Sequence, residues 1–404
     1  MNFHFDRPVD RRNTGSLKWD VQEGELPMWV ADMDFQTAPA VREAIRARAE
    51  HGVFGYSIVP KEWYQAYISW WEDRHGFTME RDWLIFCTGV VPAISSMVRK
   101  LTTPAEKVLL MTPVYNIFFN SILNNGRQAL ECGLPYDGTE YRIDFEDLER
   151  KLADPQTTMM LLCNPHNPIG KIWDRETLAR IGALCRKYHV VVISDEIHCD
   201  LTAPGRDYVP FASVSEDCRD NSVTCIAPTK AFNIAGLQTA AVCVPNPVLR
   251  HKVWRGLNTD EVAEPNAFAV DAAIAAFTRG GEWLDALRVY LEENKTLVKE
   301  FVKRELPRLH VVPSEATYLL WVKLGSGESS AEDVAEFIRG KTGLYLSAGN
   351  PFGGDGGSFL RLNAACPRTV LEDGLSRLKE GIEAWDAQSL NSTRIITYIF
   401  FRNG

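Results

Sequence analysis

The sequence predicts an α/β fold in which a mainly parallel central sheet forms a large domain beside a smaller α+β domain. From about residue 85 to 245, short apolar runs typical of strands alternate with helical patterns, as expected for βα units. After about residue 280 this alternation ends, and a long helical stretch leads into mixed strands and helices. The 404 residues, 45% of them hydrophobic, suffice to bury one large core and a smaller one.

The first predicted helix spans residues 39–51. Proline begins it, Val41, Ile45 and Ala49 fall on one face, and Gly52 can end it. The strands of the central sheet are predicted from apolar runs at 83–86, 108–111, 159–163, 190–194, 223–226 and 240–244.

A connecting helix is predicted to begin after Asp174, a good N-cap residue, because Leu178, Ile181 and Cys185 recur at helical spacing. A longer helix is predicted over residues 282–306. Beyond it we expect strands near 309–313, 317–323 and 358–363, and helices near 331–342 and 367–386.

This pattern divides the chain into two domains. The large domain is expected over residues 45–280, and the small domain is expected to combine residues 1–44 with residues 281–390. Residues 391–404 fit neither pattern, so they are treated as a tail without an assigned role.

Charge and cysteine usage argue against several classes of protein. The formal net charge of −9 is spread along the chain without a Lys/Arg block, so we expect no nucleic-acid partner. The N-terminus lacks an apolar signal core, and no apolar stretch approaches the roughly 18 residues of a membrane-spanning helix. The nine cysteines form an odd number without a C-x-x-C pair, which favours reduced thiols in a cytoplasmic protein.

Neither a metal centre nor a nicotinamide site is predicted. None of the eight histidines pairs with another at the spacing of helical metal ligands. The glycine cluster at residues 349–357 lacks G-x-G-x-x-G spacing and precedes a predicted strand, which favours a loop at the edge of the small domain.

Lys230, Asp195 and Tyr115 are the candidate catalytic residues, and each follows a predicted strand. Ligands of doubly wound sheets collect at the carboxyl ends of strands. A lysine can hold an aldehyde cofactor as a Schiff base, and an acid can keep a pyridine nitrogen protonated, so that the ring draws electrons from a substrate carbanion. The pair therefore predicts pyridoxal 5′-phosphate, although a lone lysine is more often a solvated surface residue.

Four residues that follow predicted strands, Tyr115 among them, could also contact this cofactor. Gly89 begins a turn that leads into a helix, which suits a phosphate or is an ordinary strand-to-helix turn. Tyr115 could stack on the cofactor ring or be a core aromatic. Asn167, between two prolines, could donate to the phenolic oxygen of the cofactor, and His198 could support the same oxygen or be structural.

Three motifs carry a resemblance to a known family. Asn-Pro-His-Asn-Pro-Ile-Gly (164–170), Ser-Asp-Glu-Ile-His (194–198) and Thr-Lys-Ala-Phe-Asn-Ile-Ala-Gly-Leu (229–237) occur in this order. In order and spacing they are similar to the fold-type I, class I/II aminotransferase superfamily of pyridoxal phosphate enzymes. The resemblance covers roughly residues 1–388 and implies the fold-type I transferase fold.

The N-terminal segments resemble one subgroup of that superfamily. They are residues 5–19, residues 26–35 (Leu-Pro-Met-Trp-Val-Ala-Asp-Met-Asp-Phe) and residues 55–57 (Gly-Tyr-Ser). These segments look like those of the cystathionine β-lyase subgroup, the MalY/PatB-type carbon–sulfur lyases. They discriminate better than the lysine motif, which many members of the superfamily share.

The resemblance implies a role for each candidate residue around the cofactor ring. Lys230 would carry the cofactor, Asp195 would pair with the pyridine nitrogen, Asn167 would contact the phenolic oxygen and Tyr115 would stack on the ring. His198 would lie beside the same oxygen or the acid.

The resemblance also implies the phosphate ligands. The backbone amides of Gly89, Val90 and Val91 would bind the phosphate, and Tyr56 would reach it from a neighbouring subunit, which implies a homodimer with a shared active site. Ala227 and Gln238 depart from the pattern, since many aminotransferases carry a serine and an arginine at these positions. Phosphate affinity is then expected to rest more on backbone amides, Tyr56 and Thr229.

The substrate is expected to be an amino acid. Arg361 matches the position that clamps the α-carboxylate, for which a planar and permanently charged side chain is well suited. Trp29, Asp32 and Tyr318 are further pocket candidates that could equally be structural.

The subgroup implies α,β-elimination of cystathionine or a related cysteine thioether to a thiol, pyruvate and ammonia. Lys230 would remove the α-proton, which requires an environment that lowers its pKa, and the positive charge of the cofactor can do so. Two alternatives stay open. An aminotransferase would use the same residues with a 2-oxo acid acceptor. In a cofactor-bound regulatory protein, catalysis by these residues would be secondary to regulation.

Overall fold

The computed structural model describes residues 3–325 and 330–400, with side chains as far as residue 388. The α-helices are α1 (Pro39–His51), α2 (Lys61–His75), α3 (Val90–Leu101), α4 (Ile117–Leu123), α5 (Phe145–Leu152), α6 (Arg175–Lys187), α7 (Glu216–Asp220), α8 (Pro247–Thr259), α9 (Ala269–Arg279), α10 (Gly281–Glu305), α11 (Ala331–Thr342) and α12 (Arg368–Phe400). The strands are β1 (Leu26–Pro27), β2 (Leu84–Cys87), β3 (Lys107–Thr112), β4 (Gln128–Gly133), β5 (Thr157–Cys163), β6 (Val191–Asp195), β7 (Ser222–Ile226), β8 (Ala240–Cys243), β9 (His310–Val311), β10 (Leu319–Lys323), β11 (Leu344–Tyr345), β12 (Ser347–Ala348) and β13 (Phe359–Asn363).

A seven-stranded sheet forms the centre of the molecule, in the order β2-β8-β7-β6-β5-β3-β4. The pairs from β7 through β6, β5 and β3 to β4 are parallel, whereas β8 is antiparallel to both β7 and β2. The prediction of a mainly parallel central sheet is therefore confirmed. The parallel arrangement brings the carboxyl ends of β5, β6 and β7 to one edge of the sheet.

The central strands are apolar because both faces of the sheet are covered. Along β5, Met159, Leu161 and Cys163 belong to one hydrophobic cluster, and Met160 and Leu162 belong to another on the opposite face. Strands buried on both faces appear as continuous apolar runs in a sequence. This explains why the runs predicted from the sequence coincide with strands.

Capping residues set the helix boundaries much as predicted. Helix α1 ends where Gly52 adopts a left-handed φ of 74°. The Asp174 carboxylate accepts a hydrogen bond from the Thr177 amide at 2.7 Å and so begins α6. Helix α12 continues to Phe400, past the predicted end near 386, so the expected tail begins within a helix and its residues 401–404 lie outside the described part of the chain.

A second, four-stranded antiparallel sheet has the order β12-β13-β10-β9. Helices α10, α11 and α12 pack with it around a separate hydrophobic cluster. Strand β1 pairs in parallel with β11, which joins the N-terminal segment to this region. These contacts support, as a proposal, the division into residues 45–280 and residues 1–44 with 281–390.

All nine cysteines are buried and free. Within the described ranges, each helix is too short or too polar to cross a lipid bilayer.

Candidate active site

Lys230 and Asp195 lie at the same edge of the central sheet. Asp195 is the last residue of β6, and Lys230 lies in the loop that follows the neighbouring parallel strand β7. The Lys230 Nζ donates a hydrogen bond to the carbonyl oxygen of Ala31 at 2.7 Å. The structure therefore brings these two of the predicted catalytic residues to one site, next to the N-terminal segment.

A cavity of about 260 Å³ lies between these two residues. Every cofactor ligand predicted from the sequence lines it, apart from Tyr56. The lining residues are Ala31, Thr88, Gly89, Val90, Val91, Pro92, Tyr115, Cys163, Asn167, Asp195, Ile197, His198, Thr229, Lys230, Ala235 and Gln238.

A larger cavity of about 600 Å³ adjoins the first one. Ala31, Tyr115 and Lys230 line both, so the two spaces meet at the amine of Lys230. We call the 260 Å³ space the inner cavity and the 600 Å³ space the outer cavity. Arg361 lies on the wall of the outer cavity.

Arg361 is buried on β13 and held in one orientation by two hydrogen bonds. Its Nη2 donates to the carbonyl oxygen of Trp29 at 3.0 Å, and its Nη1 donates to the Asn167 Oδ1 at 3.3 Å. Within the described chain its Nε is buried without a hydrogen-bond partner. The aromatic ring of Phe352 lies 4.8 Å from its guanidinium carbon. The guanidinium Nε therefore remains available as a donor on the wall of the outer cavity.

Tyr56 does not reach either cavity of its own subunit. Its side chain is fully exposed, in a segment that precedes α2 and has no regular secondary structure. A contact between Tyr56 and the phosphate site of a second subunit stays a prediction.

Burial shifts the ionisation of the groups around the inner cavity. The pKa of Lys230 is lowered to about 8, chiefly by desolvation; the negative charges of Asp32 and Asp195 oppose this shift and the positive charge of Arg361 adds to it. Desolvation raises the pKa of Asp195 to about 7. It lowers the pKa of His198 to about 3, so this imidazole is neutral at pH 7. The protein itself therefore lowers the pKa of Lys230, before any contribution from a cofactor.

Desolvation also lowers the pKa of Arg361 to about 10. Since this value is well above 7, the guanidinium still carries its charge at neutral pH. A buried cation with a free donor binds a carboxylate more strongly than an exposed one, because less water competes for it.

The backbone of Ala31 is the contact that the sequence analysis missed. Its carbonyl oxygen accepts hydrogen bonds from the Lys230 Nζ and, at 2.9 Å, from the Tyr318 hydroxyl. Trp29 lines the outer cavity, and Asp32 forms an ion pair with Arg11 at 2.8 Å. The motif at residues 26–35 was the available signal, but a carbonyl acceptor has no side-chain signature.

Two asparagines hold the N-terminal segment against the site. The Asn233 Nδ2 donates to the carbonyl oxygens of Met33 and Phe35, both at 2.8 Å. The Asn363 Nδ2 donates to the carbonyl oxygens of Val30 and Asp32, both at 2.6 Å. Through these four bonds the two asparagines hold the stretch that carries the Ala31 carbonyl in place.

Replacing Gly170 with alanine is expected to lower the free energy of unfolding by about 2–4 kcal/mol. Gly170 ends the turn at 164–170 with a φ of +66°, and a Cβ there would lie 2.3 Å from the Ser314 Oγ and 2.9 Å from the Ala316 carbonyl oxygen. Urea unfolding measures the change. Gly24→Ala is the matched control, because its φ is +82° but no atom lies within 4 Å of the added Cβ. Equal losses for the two variants would contradict the steric argument.

The inner cavity has the polar groups that pyridoxal phosphate requires. Helix α3 begins at its edge, and no described side chain caps this helix N-terminus, so the amides of residues 89–91 can bind a phosphate. In the described chain, the His198 Nδ1 is buried without a hydrogen-bond partner. The Asp195 carboxylate and the Thr229 hydroxyl supply an acid and a further donor. The residues therefore fit the cofactor.

Comparisons with known proteins agree with this geometry. A sequence model of the family described as aminotransferase class I and II matches residues 26–378. The chain belongs to this family. A relative, cystathionine beta-lyase PatB of Bacillus subtilis (strain 168), is 42% identical over 386 residues, which cover 94% of this chain and 100% of the relative.

A second relative and a solved structure also match nearly the whole chain. Protein MalY of Escherichia coli (strain K12) is 32% identical over 390 residues, which cover 95% of this chain and 99% of the relative. The crystal structure of cystalysin from Treponema denticola, which contains a pyridoxal 5′-phosphate cofactor, matches with a TM-score of 0.92 and 32% identity, covering 95% of this chain and 100% of that one. The predicted superfamily and fold-type I architecture are thereby confirmed.

Proposed function

We propose that this chain is a pyridoxal-phosphate-dependent carbon–sulfur β-lyase. It eliminates the thiol from cystathionine or a related cysteine thioether, with pyruvate and ammonia as the other products. The observation that carries the proposal is the arrangement of Lys230, Asp195 and Arg361 around two adjoining cavities, in a chain 42% identical to a protein named cystathionine beta-lyase.

The cofactor, when bound, would supply an aldehyde for the substrate amine and a ring that withdraws electrons from Cα as the thiolate leaves. Asp195 would hold the pyridine nitrogen in its charged form, and the pyridinium in turn would favour the ionised carboxylate. The residues at 89–91 and Thr229 would hold the phosphate. Asn167 and His198 would lie near the phenolic oxygen, and Tyr115 would stack on the ring.

Lys230 is the base that removes the α-proton. At a pKa of about 8, roughly one amine in ten is neutral at pH 7, against fewer than one in a thousand at the ordinary value of 10.5. The bond from its Nζ to the Ala31 carbonyl fixes where the nitrogen lies. Arg361 binds the α-carboxylate, which restricts rotation of the substrate and orients the α-hydrogen toward Lys230.

We also propose a homodimer with a shared active site. Every predicted phosphate ligand of this subunit lines the inner cavity, whereas Tyr56 is exposed and does not line it. Exposed apolar side chains surround Tyr56 in the same segment, namely Val53, Phe54 and Ile58. A second subunit that covers this segment would bury these side chains and place Tyr56 at the phosphate site of that second subunit.

A cytoplasmic location belongs to the same proposal. The nine free, buried cysteines support it, because proteins of reducing compartments keep their thiols unpaired.

The test is the release of pyruvate by purified protein loaded with pyridoxal phosphate. With L-cystathionine and no 2-oxo acid, the lyase produces pyruvate, ammonia and a thiol in equal amounts. An aminotransferase, which the family description also allows, would produce a new amino acid and only in the presence of a 2-oxo acid acceptor. Absence of pyruvate from cystathionine, cystine and smaller thioethers alike would reject the lyase.

Binding of pyridoxal phosphate to the cofactor-free protein is expected to accelerate as the pH rises from 7 to 9. Imine formation requires the neutral amine of Lys230, and the lowered pKa places this titration near pH 8. Stopped-flow absorbance near the boundary of the visible and ultraviolet ranges measures the rate at which the imine band replaces the absorbance of free pyridoxal phosphate. Lys230→Ala should develop no imine band at any pH. A rate that stays flat to pH 9 and rises only toward 10.5 would contradict the shift.

A further inference from the structure

Three side chains of the kinds that bind metal ions lie together outside the two cavities. His75 is the last residue of α2, and Cys199 and Asp200 lie in the turn that follows β6. A ring nitrogen of His75, the Cys199 Sγ and a carboxylate oxygen of Asp200 all lie within 4.8 Å of one another. None of the three residues lines the inner or the outer cavity, so the group is separate from the candidate active site.

The group is almost entirely buried. Cys199 is 1% exposed and Asp200 is 5% exposed, while the His75 side chain is 8% exposed. Cys199 belongs to the same hydrophobic cluster as Trp70 and Tyr208, and the Tyr208 ring meets the His75 ring edge-on with centroids 5.0 Å apart. Little water can reach polar atoms in such surroundings, so these atoms need partners from the protein or from a bound ion.

One oxygen of Asp200 has no such partner. The Asp200 Oδ1 accepts a hydrogen bond from the Trp70 Nε1 at 2.9 Å and lies 3.0 Å from the His75 Nε2. The Asp200 Oδ2 is buried and makes no hydrogen bond to any residue that the structure describes. A buried carboxylate oxygen without a partner is costly, and a cation beside it removes this cost.

The donor set favours zinc or a chemically similar divalent ion. Zinc binds thiolate sulfur, imidazole nitrogen and carboxylate oxygen, whereas magnesium and calcium prefer oxygen alone. Ligand atoms around a tetrahedral zinc ion lie roughly 3.3–3.8 Å apart, so the three side chains need to approach one another by about 1 Å. A water molecule can fill the fourth position from the partly exposed side of His75.

We propose that His75, Cys199 and Asp200 form a binding site for a zinc-like divalent ion. As the metal binds, the Cys199 thiol loses its proton to solvent and a sulfur–metal bond forms. The ion joins the end of α2 to the segment after β6, directly beside His198 of the inner cavity. No step of the lyase reaction passes through it, so the inference is independent of the proposed function.

The spacing of the sequence gives no signal for this site, because His75 lies far along the chain from Cys199 and Asp200. A hydrogen-bonded pair of His75 and Asp200 without a metal would account for part of the same geometry. Such a pair makes no use of the thiol, so the behaviour of Cys199 decides between the two.

The first test measures metal binding directly. Protein loaded with pyridoxal phosphate is stripped with a chelator, dialysed and titrated with zinc chloride, and elemental analysis after gel filtration should find one zinc per chain. Cobalt(II) chloride in place of zinc should produce the visible bands of tetrahedral cobalt and a near-ultraviolet thiolate charge-transfer band in the difference spectrum. Magnesium chloride should not compete. Zinc binding only at millimolar concentration, or a cobalt spectrum without the thiolate band, would overturn the site.

The second test removes ligands one at a time. Cys199→Ala and His75→Ala should each weaken zinc binding by more than about 100-fold, and Cys199→Ala should lose the thiolate band. Cys185→Ala and His310→Ala are the matched controls. Cys185 is equally buried but belongs to another hydrophobic cluster, and His310 is exposed on β9.

The absorbance of the Lys230 imine shows whether a variant is folded, and Cys199→Ala should keep it. If Cys199→Ala does not fold, Cys199→Ser, which nearly preserves the size of the side chain, gives the same comparison. Zinc should raise the thermal unfolding midpoint of the wild type and of Cys185→Ala, but not that of the Cys199 variant. Equal zinc affinity, or an equal rise of the midpoint, in the wild type and the Cys199 variant would reject the site.

Discussion

Replacing Lys230 with alanine is expected to abolish the absorbance of bound pyridoxal phosphate as an imine and to slow pyruvate release by about 10³- to 10⁴-fold. The variant loses both the anchor of the cofactor and the base that removes the α-proton. Reduction of the wild-type protein with borohydride, followed by peptide mapping, should label residue 230. Pyruvate release under single-turnover conditions then measures the loss of the proton-transfer step.

A small exogenous amine provides a positive control for this variant. Because an amine in solution can replace the missing base, it should restore part of the activity of Lys230→Ala. Lys187→Ala is the matched substitution, since Lys187 is exposed at the end of α6, forms an ion pair with Glu149 and lines neither cavity. A Lys230→Ala protein that keeps its absorbance band and its activity within tenfold of wild type would reject the assignment.

Replacing Arg361 with alanine should lower kcat/KM by about 10²- to 10³-fold, with most of the loss in KM. A hydrogen bond to a charged partner contributes about 1.5–3 kcal/mol, and a carboxylate can receive two from one guanidinium. The substitution also removes the donor to the Asn167 Oδ1 and one of two donors to the Trp29 carbonyl oxygen, which keeps the Ser347 hydroxyl. The cofactor absorbance should persist, because Lys230 is unchanged.

Arg361→Lys separates charge from geometry. It retains the positive charge but not the planar pair of donors, so an intermediate loss is expected. Arg186→Ala, on the exposed face of α6, controls for removal of an arginine elsewhere. If Arg361→Ala raised KM less than threefold while remaining folded by its thermal unfolding midpoint, the proposed carboxylate contact would be wrong.

The strands of the central sheet could be predicted from the sequence because of how they are buried. Continuous apolar runs identify β5 and β6, whose residues face hydrophobic clusters on both sides of the sheet. Strand β4 lacks this signal. It is an edge strand with mostly exposed or half-buried residues, so its pattern does not differ from that of a loop.

Helix α2 was missed although a signal was present. Trp63, Tyr67, Trp70 and Trp71 are all buried on it and recur at helical spacing. Its polar residues are numerous enough that the helix does not stand out by hydrophobicity alone. Aromatic spacing would have identified it.

The candidate site could be predicted in part. Lys230, Asp195 and Asn167 follow strands whose carboxyl ends meet in any parallel sheet, so their convergence needs only the strand assignments and the family motifs. Tertiary contacts decided the rest, including the contact between the Ala31 carbonyl and Lys230. Residues so distant in the chain carry no shared local pattern.

The sequence by itself determined the class of fold, the family and the identity of the residues that would bear the chemistry, because these depend on local periodicity and on short motifs. Only the tertiary structure decided how the amine of Lys230 is desolvated and which donor of Arg361 stays unpaired. Ionisation and pocket shape depend on the solvent and charge that surround a group, and those surroundings come from distant segments that meet only when the chain is folded.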